Sequence, residues 1–270
     1  MSAARAETGD VPGGPPPDGV DLWIARIDDV SATPGLVEAY DDLMTEEERA
    51  RGERFHFEAD RLRHATARAL VRTILSRHGP LPPRAWRFEA DRFGKPRLAA
   101  DCAAAVPGLS FNLSHSGDLV VLATSVGRAV GVDVERIRDR ADLPGLAAYA
   151  FAPEEARSLA ELAPADRAYR FFEHWTLKEA YIKARGTGLS LSLASFWFDL
   201  ATPGAIRFCT REPGQDAASW SFRRTDPDPE HPLALCIADA ALPEIRTWSA
   251  TPLAGTRAMT LAAARTSPAT

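Results

Sequence analysis

Two short acidic stretches in this chain have the composition of a site for hard cations and phosphate. The first is Gly131-Val132-Asp133-Val134-Glu135. On a strand successive side chains alternate faces. Val132 and Val134 then point into a core, and Asp133 and Glu135 leave the opposite face together. Paired carboxylates with nothing between them repel one another, and they suit Mg²⁺, which takes one or two carboxylates plus phosphate oxygens and water. The plain alternative is a half-exposed strand with a solvated acidic face. The second stretch is Trp175-Thr176-Leu177-Lys178-Glu179-Ala180-Tyr181-Ile182-Lys183. Helical spacing puts Phe171, Trp175 and Ile182 on a packed side and sets Lys178 and Glu179 about 100° apart. Glu179 and Lys183, at i and i+4, could be a surface ion pair worth about 0.2–0.5 kcal/mol. They could equally give a third carboxylate to Asp133 and Glu135 and, with Lys178, two cations for phosphate. Glu173 lies nearly two turns before Glu179 and reads as structural.

Three further blocks are basic or hydroxylic. Phe111-Asn112-Leu113-Ser114-His115-Ser116-Gly117 reads as a strand running into a small polar turn. There the Ser114 and Ser116 hydroxyls, the turn N–H groups and the His115 imidazole could donate to a phosphate; a His in a polar turn can also be a turn-former. Phe93-Gly94-Lys95-Pro96 is a turn that presents Lys95. Arg51, Arg54, Arg61, Arg63 and Arg68 are either a solvated helix face or a forked clamp for phosphate. The serines lack the Gly-x-Ser-x-Gly frame of a nucleophile elbow. No Gly-x-Gly-x-x-Gly, Walker A or His-Glu-x-x-His pattern occurs in the sequence.

The elements that must hold these residues alternate between helix and strand. Strands are expected at residues 20–27, 86–88, 109–113, 119–124 and 129–134. Further strands are expected at 195–200, 206–209, 219–223 and 233–238. Thr45 with Glu48 three residues later marks a capping box. Helices are expected at 36–40, after Thr45, at 61–78, 143–150, 153–162 and 165–185. Glycines end the last one at Gly186 and Gly188. The order is helix and strands, then helix and strands again. It implies an α+β chain of two similar α/β halves, residues 20–131 and 132–250, between a flexible tail over 1–19 and a loose tail over 251–270.

The 270 residues carry a net charge of -5 and are 45% hydrophobic, which fits a soluble globular protein and argues against a basic nucleic-acid surface. No stretch of eighteen apolar residues occurs, so no membrane span is expected. The N-terminus lacks a signal-peptide core. Cys102, Cys209 and Cys236 lie at no metal-ligand or disulfide spacing and read as small hydrophobes of a reducing cytoplasm.

Together and in this order, the blocks at 93–96, 111–116, 130–135 and 175–183, with Gly186-Thr187-Gly188-Leu189, resemble the Sfp-type 4′-phosphopantetheinyl transferases over roughly residues 40 to 200. The resemblance implies two similar α/β halves related by a pseudo-twofold, with the active site in the cleft between them, in a monomer. It implies a Mg²⁺-dependent enzyme of the holo-[acyl-carrier-protein] synthase type. Such an enzyme moves the 4′-phosphopantetheine arm of coenzyme A to a serine of an apo acyl or peptidyl carrier protein. Adenosine 3′,5′-bisphosphate leaves. The carriers would belong to fatty-acid, polyketide or nonribosomal peptide synthesis. By the same resemblance Asp133, Glu135 and Glu179 are the metal ligands. Lys178 and Lys183 lie near the pyrophosphate and the attacking serine, with Glu179 as the base. Ser114 and His115 contact coenzyme A phosphates, and Lys95, Arg63 and Arg51 the nucleotide end. One basic position that the family often carries before its Arg-Phe pair is Glu48 here. A coenzyme A or carrier-binding module of the same fold without transfer is the alternative, and the presence of all three carboxylates and both lysines argues against it. A different Mg²⁺ phosphotransfer enzyme lacks a glycine loop, and a purely structural protein would leave the acidic pairs solvated.

Overall fold

The computed structural model describes residue 14 and residues 18–90, 96–138 and 142–268. In chain order the elements are β1 (Val20–Arg26), α1 (Ile27–Ser31), α2 (Leu36–Asp41), α3 (Glu46–Glu53), α4 (Glu58–His78), β2 (Phe88–Ala90), β3 (Pro96–Leu98), α5 (Ala100–Ala105), β4 (Leu109–Ser116), β5 (Leu119–Val126) and β6 (Val130–Val134). There follow α6 (Leu143–Ala150), α7 (Pro153–Ala160), α8 (Pro164–Arg185), β7 (Phe196–Asp199), β8 (Arg207–Thr210), β9 (Ser221–Thr225), β10 (Leu233–Ile237), β11 (Ile245–Thr251), β12 (Gly255–Met259) and β13 (Ala263–Thr266).

The chain divides into two compact units. Of the described residues, the first holds 14, 18–90, 96–127 and 244–260; the second holds 128–138, 142–243 and 261–268. In the first, β12-β11-β1-β5-β4 form one sheet, with β1 parallel to β11 and the other pairs antiparallel. The long helix α4 covers that sheet and buries Leu70, Val71, Ile74 and Leu75 against Trp23, Trp86, Phe111, Val120, Leu122 and Trp248. In the second, the antiparallel sheet β13-β9-β10-β6 is covered by α8. Leu177, Ala180 and Tyr181 of α8 pack on Phe196, Phe198, Phe208, Phe222 and Cys236. Each unit therefore sets one long amphipathic helix on one sheet, because each apolar face needs a partner layer.

The capping box at α3 forms in both directions: Glu48 N–H donates to Thr45 Oγ1 (3.2 Å) and Thr45 N–H to Glu48 Oε2 (3.0 Å). Helix α4 begins at Glu58, three residues before the expected start, with Glu58 and Asp60 in its first turn. There the N-terminal dipole favours acids that apolar spacing does not register. The strand expected at 86–88 starts only at Phe88, and Trp86, wholly buried, belongs to the core under α4.

Two expectations about the end of the chain are corrected. Residues 245–251 do not complete the second half; they form β11, beside β1 in the first unit. The chain after Leu253 is not loose: β12 pairs with β11, and β13 pairs with β9. Both are edge strands built largely of short Ala, Thr and Gly residues and mostly exposed, so no alternation of apolar residues announces them. Among the described residues, no helix is long and apolar enough to cross a membrane. Cys102 and Cys236 are buried, Cys209 is half-buried, and all three are free thiols.

Candidate functional site

Strand β6 is buried at every position, so both of its faces are covered. Alternation puts Gly131, Asp133 and, one residue past the strand, Glu135 on one face. That face looks at α8. A Cβ on Gly131 would sit 2.0 Å from the Ala180 carbonyl oxygen and 2.5 Å from the Ala184 nitrogen. Only a residue without a side chain allows the helix backbone this close. The close approach brings α8 onto Asp133. Lys183 Nζ donates to Asp133 Oδ1 at 2.6 Å and to the Val132 carbonyl at 3.3 Å. Asp133 is 3% exposed, which rules out the solvated acidic face for this residue. Glu135 is half-buried, with its N–H bonded to the Pro232 carbonyl.

Glu179 lies one turn before Lys183 and is half-buried. Burial raises its carboxyl above the usual carboxylate range. The charge of Asp133 raises it further, Lys183 opposes, and Glu135 adds a smaller push upward. The three carboxylates expected to act together thus share one field, with Lys183 among them. Among the described residues, no group of three or more His, Cys, Asp or Glu side chains could hold a metal ion as it stands. The donor set itself is hard oxygen throughout, the kind Mg²⁺ accepts, and that ion needs only one or two carboxylates alongside phosphate and water.

Lys178 is not with this group, and its expected place near phosphate is corrected. Its side chain is fully buried on the other side of α8. Nζ lies 2.7 Å from Glu155 Oε2 and donates to the Leu193 and Phe196 carbonyls at 2.8 Å each, with the Phe196 ring 4.5 Å below. The cause is the roughly 100° step between consecutive helix residues: Glu179 faces the acidic group, so Lys178 is turned into the core. A buried ammonium needs such partners. Glu173 is structural, enclosed by Arg170 (2.9 Å), Arg265 (3.1 Å) and Arg224 (3.6 Å).

In the first unit the polar turn expected after Leu113 is instead more strand. β4 runs to Ser116 and pairs with β5 through Ser116↔Leu119, leaving Gly117 (φ 58°) and Asp118 as a two-residue turn. The left-handed first turn residue needs glycine, and it moves the turn three residues along. Ser114 and His115 are therefore neighbours on a strand whose side chains leave opposite faces: Ser114 is buried and His115 exposed. Arg63 of α4 reaches this hairpin tip, Nε donating to the Gly117 carbonyl at 2.9 Å while Nη1 pairs with Asp60 at 2.6 Å. Arg51 is exposed in the last turn of α3. Glu48 does structural work in its place, closing the capping box and pairing with Arg72 (2.7 Å) and, more loosely, Arg68 (3.8 Å). Lys95 falls outside the described residues.

Sequence reasoning passed over Glu155. This wholly buried residue accepts from the Phe198 N–H (3.0 Å) and the Ala152 N–H (3.2 Å), pairs with Lys178, and lies 3.3 Å from His174 Nδ1. Burial pushes its carboxyl up, but the His174 hydrogen bond and the Lys178 charge outweigh that and hold it below the usual range. The one available signal was Pro153-Glu154-Glu155 after Phe151-Ala152, an N-terminal helix pattern that gives no hint of burial.

Two family models match the chain: one described as 4′-phosphopantetheinyl transferase superfamily over residues 129–236, and one described as 4′-phosphopantetheinyl transferase, N-terminal, over residues 34–127. The 4′-phosphopantetheinyl transferase HetI of Nostoc sp. is 33% identical over 228 residues, 82% of this chain and 88% of that protein. The 4′-phosphopantetheinyl transferase psf-1 of Bacillus pumilus is 34% identical over 226 residues, 83% of this chain and 91% of that protein. The 4′-phosphopantetheinyl transferase Sfp of Bacillus subtilis is 29% identical over 208 residues, 77% of this chain and 88% of that protein.

Proposed function

The chain belongs to the 4′-phosphopantetheinyl transferase superfamily, and from that premise we propose how its residues share the transfer of phosphopantetheine from coenzyme A to a carrier protein. The observation that supports the reading most is the field shared by Asp133, Glu135, Glu179 and Lys183. A serine hydroxyl of the carrier attacks the β-phosphorus of coenzyme A. The new bond is serine Oγ to phosphorus, and the bond that breaks is phosphorus to the oxygen of departing adenosine 3′,5′-bisphosphate. Glu179 takes the serine proton. It lies one turn of α8 before Lys183, which pairs with Asp133, so it is the carboxylate that the helix brings to this group. Lys183 leaves part of its contact with Asp133 to neutralise phosphate oxygens.

Asp133, Glu135 and Glu179 would hold Mg²⁺, which supplies charge stabilisation at the pyrophosphate when bound. His115, exposed on β4, and Ser114 on its other face would contact coenzyme A phosphates, with Arg63, Arg51 and Lys95 as the contacts to the nucleotide end. Little covalent work falls to the protein, so positioning carries most of the rate. The enzyme acts as a monomer of the cytoplasm and serves acyl and peptidyl carriers in the manner of the longer Sfp-type members. The test is Glu179→Gln at saturating Mg²⁺. Transfer should fall about 10²–10⁴-fold, while calorimetry still registers coenzyme A binding. Near-normal turnover would remove the base from Glu179, and binding indifferent to Mg²⁺ would remove the metal from the three carboxylates.

A further inference from the structure

Lys178 and Glu179 are consecutive, yet one is wholly buried and the other turns to the acidic group. The roll of α8 about its axis decides both at once. On one side the helix is held by contact: Gly131 lets β6 touch the backbone at Ala180 and Ala184. On the other side it is held by charge. Lys178 Nζ is fixed by Glu155 and by two carbonyls between Leu193 and Phe196. Glu155 is in turn fixed by the N–H groups of Ala152 at the start of α7 and Phe198 in β7. Both side chains of the pair are 0% exposed.

A buried ion pair is weak evidence for stability, because apolar groups of equal volume commonly replace one at no loss. It does fix geometry: an ammonium among three oxygens tolerates little displacement, whereas a methylene in an apolar pocket slides. We infer that Glu155 is a positioning residue for the transfer reaction: through Lys178 it sets the roll of α8 that aims Glu179 and Lys183 at Asp133. The inference rests on the roles given to Glu179 and Lys183 above. His174, 3.3 Å from the same carboxylate, is the third member of the cluster.

The test uses the full chain and two variants. In E155Q/K178M the pair is replaced by uncharged side chains of nearly the same volume. In E155D the charge stays but the carboxylate is withdrawn by one methylene. A displacement of about 1 Å at reacting groups can cost roughly 100-fold in rate. Both variants should keep cooperative thermal unfolding and bind coenzyme A, by calorimetry, within about threefold of the wild type, with kcat about 10- to 100-fold lower. This split between kcat and coenzyme A affinity is what a purely structural role would not produce. Wild-type kcat in either folded variant overturns the inference. So does loss of folding in both, which would make the pair a stability element. Absence of transfer by the wild-type chain would instead defeat the underlying functional reading.

Discussion

Replacing Gly131 with alanine tests how closely the site depends on the contact between β6 and α8. The added Cβ meets the Ala180 carbonyl oxygen at 2.0 Å and the Ala184 nitrogen at 2.5 Å, and both are backbone atoms that no rotamer can move. Ordinary contact needs about 3.2–3.5 Å, so strand and helix must part by roughly 1.2–1.5 Å. Overpacking of this kind costs about 1–3 kcal/mol. In a unit of this size that lowers Tm by about 2–12 °C. The same parting carries Glu179 and Lys183 away from Asp133, and kcat for transfer should fall by roughly 100-fold. Differential scanning calorimetry and a transfer assay read the two effects. Gly255→Ala is the control: nothing lies within 4 Å of its added Cβ, and its stability should stay within about 0.5 kcal/mol of wild type. A Gly131→Ala protein with wild-type Tm and wild-type kcat would refute the argument, since the close approach would then be incidental.

Two further outcomes follow from charge and burial. Glu48→Lys sets a second cation against Arg72, whose side chain is 1% exposed and keeps its bonds to the Pro83 and Trp86 carbonyls. It should cost about 3 kcal/mol or more, measured by urea unfolding; a neutral result would mean that those two carbonyls suffice to hold the buried guanidinium. Burial holds His78 down to about 4, with Asp21 raising it and Arg246 and Arg77 lowering it, and among the described residues neither ring nitrogen has a hydrogen-bond partner. The folded state therefore favours the neutral ring. That preference is harmless above pH 6.5, becomes destabilising as pH falls from 6.5 toward 4, and levels off below. His78→Leu should remove up to about 3 kcal/mol of acid destabilisation across that window; identical stability-versus-pH slopes in the two proteins would contradict it.

The long helices and most strands were legible because their apolar residues repeat at the right spacing. Helix α6 (Leu143–Ala150) begins and ends where expected. The family was legible too, from the order of the acidic, hydroxylic and lysine blocks, and both family models match the chain. Three things were not. The return of β11 to the first sheet is a long-range parallel pairing with no local marker. The side of α8 that carries Lys178 depends on which face packs, and Lys178 and Glu179 look equally exposed in a charged helix until the buried partner Glu155 is found. The polar run Ser114-His115-Ser116 reads as a turn by composition, but pairing with Leu119–Val121 keeps it in a strand. In each case tertiary partners overrode local propensity.

The central claim is the transfer itself. The direct measurement is intact-protein mass spectrometry of an apo carrier protein incubated with this chain, coenzyme A and Mg²⁺, run against a panel of fatty-acid, polyketide and peptidyl carriers and repeated after chelation. The account predicts a mass gain of one phosphopantetheine arm on the carrier serine, lost on chelation and strongly slowed in Glu179→Gln. No mass gain on any carrier, with coenzyme A binding intact, would contradict it.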